Sequence, residues 1–233
     1  MTMEDSRFME IKQKVFQNCR VSGWNSEIKD ALDHMINTFT IRTDNRYSLI
    51  HDSVFEVLAF HYGNQHQEDM WEYMSSNFVA KKFSICDTSE DPVDLHIKIH
   101  TEHYSAFAER LVRDLESLEL HAVFMNKTLK IKCICSAFID ELKKLSYHQI
   151  KNIFFQEKRN KSWEASKRDL EDKWQFLLVG VFTNSVIRVI SWVVSYGHSQ
   201  LIQFLFDQVT KHKESIRRVL GWEVQGGSEN SYI

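Results

Sequence analysis

The chain has 233 residues, enough for one large or two small domains, and its 43% hydrophobic and 12% aromatic content supplies a real core rather than a disordered tract. A formal net charge of −3 gives no global attraction to nucleic acid or to an anionic membrane. A single proline, Pro92, and only seven glycines predict a mainly α fold with short connections.

The four cysteines, Cys19, Cys86, Cys133 and Cys135, make no C-x-x-C pair, and Cys133 and Cys135 stand too close to clamp zinc without distant partners. The opening MTMEDSRFMEIK has no apolar signal core, which points to a cytoplasmic protein. The most membrane-like window, Phe176 to Val194, carries Asn184 and Arg188 near its middle and reads as two buried helices, so no membrane partner is expected.

In chain order, Met9 to Cys19 places Ile11, Val15 and Phe16 on one helical face. Asn25 or Ser26 can cap a second helix, in which Ile28, Ala31, Leu32, Met35 and Ile36 form an amphipathic stripe. Thr38 to Ile41 alternates, with Phe39 and Ile41 on one face; Asp44-Asn45 is turn chemistry; Tyr47, Leu49 and His51 alternate in turn. Two helices followed by a hairpin is the layout of a winged helix.

Asp52 or Ser53 can cap the next helix, lined by Val54, Phe55, Leu58, Ala59 and Tyr62, with Gly63 as its natural stop. Asp69 to Ala80 predicts another helix through Met70, Trp71, Met74, Phe78 and Val79. Residues 81–92 are polar and acidic and predict a linker or exposed loop. Glu102 to Leu120 is a strong helix, with Tyr104, Phe107, Ala108, Leu111, Val112 and Leu115 at helical spacing. Helices over Ile131 to Leu145 and Tyr147 to Glu157 follow, then a charged helix or connector over Lys158 to Asp172. Apolar helices return over Trp174 to Phe182, Ser185 to Tyr196 and Gln200 to His212, and the end, Gln225 to Ile233, reads as frayed.

Three patterns carry possible chemistry. Arg46 and His51 have the arginine-to-histidine spacing of HEPN ribonucleases, but Arg46 falls at a predicted hairpin turn and not on a helical site. His96, His100 and His103 would share a face on a helix and could then hold a metal; the alternation of Val93, Leu95, Ile97 and Ile99 predicts a strand instead, with His96 and His100 on its solvent side. The helix from Glu27 to Asn37, with Glu27, Asp30 and Asp33, is not basic, and the hairpin offers only Arg42 and Arg46, so nucleic acid is not the expected partner of this winged-helix-like part.

The stretch TFTIRTDNRYSLIHDSVFEVLAFHYG, Thr38 to Gly63, resembles the last subdomain of STAND-type signalling NTPases, in which a winged helix ends in a strand bearing a Met-His-Asp-like element. Ile50, His51 and Asp52 fill its places, and the resemblance implies that His51 would face nucleotide phosphates if the chain were part of a larger NTPase. Taken for itself, His51-Asp52 reads as a strand-to-helix junction with a cap. The segment Ser195 to Gln208 resembles a degenerate ankyrin repeat: Gly197-His198 match the inter-helix turn, and Leu201-Ile202 and Leu205-Phe206 match the packing positions of the second helix. The order of Tyr47 to Val57, Tyr73 to Phe78, Val93 to Asp114 and Leu177 to Gln208 is similar to the C-terminal half of a STAND group found in molluscs and other invertebrates.

That resemblance implies a winged-helix-like domain at 1–80, a linker at 81–92, a helical spacer at 93–172, degenerate ankyrin-like helices at 173–225 and a tail at 226–233. It also implies a non-catalytic regulatory or protein-interaction module, acting on an NTPase module or another protein partner. A phosphate-binding loop needs a glycine followed by lysine, and none of the seven glycines has one, so no nucleotide cofactor and no enzymatic turnover are expected of this chain. The alternatives are a nucleic-acid-binding winged helix and a HEPN-like ribonuclease.

Overall fold

The computed structural model describes residues 10, 13–14, 16–17, 25–44, 46–85, 95–159 and 186–220. The protein is mainly α with a short antiparallel β-hairpin, as the sparse helix breakers predict. No helix among the described residues is long and apolar enough to cross a membrane. The chain forms two compact units, one from residues 1–75 and 82–99, the other from residues 76–81 and 100–233.

In the first unit, helix α1 (Asn25–His34) ends where the Met35 carbonyl accepts the amides of Phe39 and Thr40, both at 3.0 Å, around a left-handed Asn37. Strands β1 (Thr40–Thr43) and β2 (Arg46–Leu49) then pair antiparallel, Thr40 opposite Leu49 and Thr43 opposite Arg46. Phe39 and Ile41 share a face, as their alternation predicts, and that face is exposed. The inward position belongs to Thr40, which is buried and donates its hydroxyl to the Leu32 carbonyl.

Helix α2 (Asp52–Gln65) follows, then α3 (Gln67–Tyr73). Gly63 does not end α2: it is buried inside the helix, which runs on to Gln65, and His66 caps it. The predicted Asp69–Ala80 helix is two helices, α3 and α4 (Ser76–Lys82), separated at Met74, whose backbone is extended. The apolar ends of that segment are buried in different units, Trp71 in the first and Val79 in the second, which one continuous helix stripe does not serve. Phe83 and Ser84 form β3, parallel to β4 (Ile97–Lys98), with Phe83 opposite Ile97. Phe83 is buried against Trp71, ring centroids 5.8 Å apart, and the Gln67 side-chain amide donates to the Lys98 carbonyl at 2.6 Å. Residues 86–94 lie outside the described residues.

In the second unit, α5 (Tyr104–Glu116) buries Phe107, Ala108, Leu111, Val112 and Leu115, the stripe its sequence predicts. A left-handed Leu118 closes it, so it stops short of the predicted Leu120. Helices α6 (Leu120–Phe124), α7 (Lys132–Lys143) and α8 (Tyr147–Phe154) follow; α7 packs against α5, and a Ser146–Gln149 capping box starts α8. Two short strands, β5 (Lys158–Arg159) and β6 (Val186–Ile187), pair antiparallel ahead of α9 (Val189–Ser195), α10 (Ser199–Lys211) and α11 (Ile216–Val219). The helix predicted from Ser185 begins only at Val189, because residues 186–187 are in a strand. The predicted elements over residues 160–182 and the tail beyond 220 lie outside the described residues.

Candidate functional site

His51 sits where β2 hands over to α2. It is the residue before the helix, with extended backbone (φ −135°, ψ 143°), and its carbonyl accepts the Val54 amide at 3.1 Å. Its side chain makes no capping bond and is exposed, as is that of Asp52, which is the first residue of the helix and not its cap. Arg46 is exposed at the start of β2, on a hairpin. Arg42 bonds Asp33 of α1 at 3.3 Å and lies over the Tyr47 ring, and the Tyr47 hydroxyl donates to the same carboxylate at 2.6 Å. This face of the hairpin is therefore charge-balanced by α1 rather than basic.

Ile97 and Ile99 are buried while Lys98 and His100 are exposed, in the predicted alternation, whereas His96, predicted on the same solvent side as His100, is half-buried. The His100 and His103 rings stack with centroids 6.2 Å apart, and Glu102 lies 3.6 Å from His100. Among the described residues no group of three or more His, Cys, Asp or Glu side chains is placed to hold a metal.

The Gly197-His198 segment is an inter-helix turn, between α9 and α10. The Gly197 amide bonds the Val194 carbonyl and the His198 amide the Val193 carbonyl, a Schellman closure that requires the left-handed φ of +70° at Gly197. Leu201 and Leu205 are fully buried, while Ile202 and Phe206 are half-buried. His198 is buried beside Phe124, with its Nε2 2.8 Å from the Phe124 carbonyl oxygen and no hydrogen-bond partner at Nδ1 among the described residues. Burial pushes its pKa below the ordinary imidazole value, against the raising effect of the carbonyl bond.

Two features of the first unit escape a reading of the sequence. The first is an apolar groove of about 280 Å³ between α2 and α3, lined by Phe55, Leu58, Tyr62, Met70 and Tyr73 among others, with Asp69 in its wall. Asp69 accepts the Tyr62 hydroxyl at 3.0 Å and the Lys14 ammonium at 3.0 Å, and that bond to Asp69 raises the Lys14 pKa. The second is exposure: six of the eight large apolar side chains exposed among the described residues are Met35, Phe39, Ile41, Phe55, Val57 and Leu58. The apolar richness of α2 is a usable signal for the groove, because the helix buries only Ala59 and Gly63 and leaves Phe55 and Leu58 exposed. Asp69 gives no signal, since a carboxylate at a predicted helix start reads as a cap.

The chain matches no protein-family model, no curated protein and no solved structure.

Proposed function

We propose that this chain is a non-catalytic regulatory and protein-interaction module of a STAND-type, innate-immune-like signalling protein, working in the cytoplasm by packing against an NTPase module or another protein partner. The observation that carries this reading is the concentration of exposed apolar side chains between Met35 and Leu58. Water-exposed Phe39, Ile41 and Leu58 are surface a partner can bury, and the polar groups of the hairpin and α1, Arg42, Tyr47 and Asp33, already satisfy one another. The hairpin that follows α1 supports the winged-helix part of the reading, and the Gly197-His198 turn with buried Leu201 and Leu205 supports the ankyrin-like part. In such a module His51 contributes as a nucleotide sensor only where an NTPase supplies the phosphates.

The test is a photo-crosslinking side chain placed at Phe39 in the full chain, in the cells that make it. Adducts with protein support the reading. Adducts with RNA or DNA, or RNA cleavage lost in His51→Ala, overturn it. Adding ADP to the isolated chain leaves its melting temperature unchanged; saturable stabilisation at micromolar ADP contradicts that expectation.

A further inference from the structure

We propose that the end of α10 together with α11 binds single-stranded nucleic acid, with Lys211, Lys213, Arg217 and Arg218 on its phosphates and a base stacked on the outer face of the His212 ring. The inference goes beyond the protein-interaction reading, which concerns side chains of the first unit.

The stretch from Lys211 to Arg218 holds four lysines or arginines and one acid, in a chain whose net charge is −3. All four cations are exposed, and none makes an ion pair among the described residues. The one acid, Glu214, is taken by Lys151 of α8, whose ammonium meets both carboxylate oxygens, at 2.9 and 2.6 Å. That bond is the largest cause of the lowered Glu214 pKa, and Arg218 adds to it. Asp207, the only acid of α10, stands a turn before Lys211 and accepts the Gln203 amide at 2.8 Å. Cations are therefore in excess on this part of the surface, and their field attracts a polyanion.

Charge alone does not name the polyanion; the aromatic ring among the cations does. His212 follows directly on Lys211, is exposed, and stacks on Tyr147 of α8, with ring centroids 4.0 Å apart and planes 5° from parallel. Tyr147 covers one face of the imidazole, and the other is a platform for a base. Lys213 follows in left-handed backbone, φ +56°, where the matching turn after α9 has Gly197, so a cation is kept there against the local preference. A base free to stack belongs to a single strand, because a duplex stacks its bases on one another. An anionic membrane fits less well. None of the large apolar side chains exposed among the described residues lies between Ser199 and Leu220, so nothing there enters a bilayer.

The test titrates the full chain against fluorescein-labelled oligouridylate and oligothymidylate decamers by anisotropy, between about 50 and 200 mM salt. Binding of either supports the proposal, and the tighter of the two tells RNA from DNA as the source. The logarithm of the affinity falls against that of the salt concentration with a slope of about −3, as four phosphate contacts on a single strand require. Lys211→Gln, Lys213→Gln, Arg217→Gln and Arg218→Gln together abolish binding; all four residues are exposed, so folding is kept, which the thermal melt checks. His212→Ala weakens binding about tenfold at an unchanged salt slope, and His212→Phe restores it. No binding of either decamer, binding that survives the four substitutions, equal affinity for a polyglutamate decamer, or a His212→Ala chain that binds like the wild type overturns the proposal. None of these results bears on protein adducts at Phe39, so the two readings fail separately.

Discussion

Gly63 of α2 faces Ile97 of β4 so closely that a Cβ at Gly63 would lie 2.4 Å from the Ile97 Cδ1 and 3.2 Å from its Cγ1. The glycine is there for approach, since its backbone is ordinary helix. In an unobstructed helix, alanine is better than glycine by about 0.5–1 kcal/mol. Here overpacking of about 1–3 kcal/mol opposes that gain and reverses the sign. Gly63→Ala is expected to destabilise the protein in urea unfolding. Ile97→Val removes the clashing Cδ1, so the double variant should be more stable than the two single losses added together. Strict additivity would mean that the contact does not set the cost.

Gly197 and Lys213 occupy the same left-handed position after α9 and α10, with φ of +70° and +56°. Each closes its helix by the same pair of bonds: Lys213 amide to Thr210 carbonyl and Glu214 amide to Val209 carbonyl repeat the pattern at Gly197. A side chain in this conformation costs about 1–2 kcal/mol, less what glycine loses through the freedom of the unfolded chain. Lys213→Gly should therefore raise stability by up to about 1 kcal/mol. Gly197→Ala should lower it by a similar amount, through backbone strain alone, because no atom lies within 4 Å of the added methyl. Thermal melts of the two variants moving in opposite directions would bear this out; a shift in the same direction would refute it.

How far the sequence discloses this protein depends on how local each signal is. The α5 stripe and the Gly197-His198 turn are legible because residues a few positions apart decide them. The role of Gly63 is not, because its reason is Ile97, across a stretch of intervening chain, and a glycine late in a helix reads as a stop. The apolar rhythm from Met70 to Val79 conceals the break at Met74, since periodicity does not say into which of two units each apolar side chain goes. Thr40 reverses the simplest expectation for the hairpin: the small polar residue is buried by its bond to Leu32, and Phe39 and Ile41 are left to solvent. The exposed pair is the part of the candidate site that hydrophobic patterning alone would have placed inside.

Arg110 and Asp114 make a buried ion pair along α5, Nε to Oδ1 at 2.8 Å, and the Ser76 hydroxyl at the start of α4 donates to the same carboxylate oxygen at 2.8 Å. Both ions are under 10% exposed as residues, so removing one takes from the other its counter-ion at a site shielded from water. Asp114→Asn or Arg110→Met alone should cost about 3–5 kcal/mol. Replacing both, Arg110→Met with Asp114→Leu, should be close to neutral, because the desolvation of two charges disappears with their attraction. Chemical denaturation of the three variants checks the ordering, and a double variant as unstable as the single ones would contradict it.

His198 gives the second unit a pH dependence whose direction follows from its surroundings. In the neutral ring Nε2–H donates to the Phe124 carbonyl, which leaves Nδ1 as a buried acceptor. Protonation would place a charge and an unmatched donor there, with Lys130 adding repulsion, so the folded pKa lies below the ordinary imidazole value, burial being the largest cause. The unfolded chain binds that proton first as the pH falls, at about pH 6.5. Between there and the lower folded pKa the unfolded state holds more protons than the folded one, so stability rises with pH across that window and is fully present above it. The protein should therefore lose stability steadily from about pH 6.5 downward, before its carboxylates begin to titrate. His198→Gln keeps a side-chain donor for the Phe124 carbonyl and cannot take up the proton, so its stability should fall less steeply than the wild type's over the same window, whatever its absolute value. Urea midpoints measured at intervals between pH 7.5 and about pH 5 read the difference. An equal slope in the variant would assign the pH dependence to other groups.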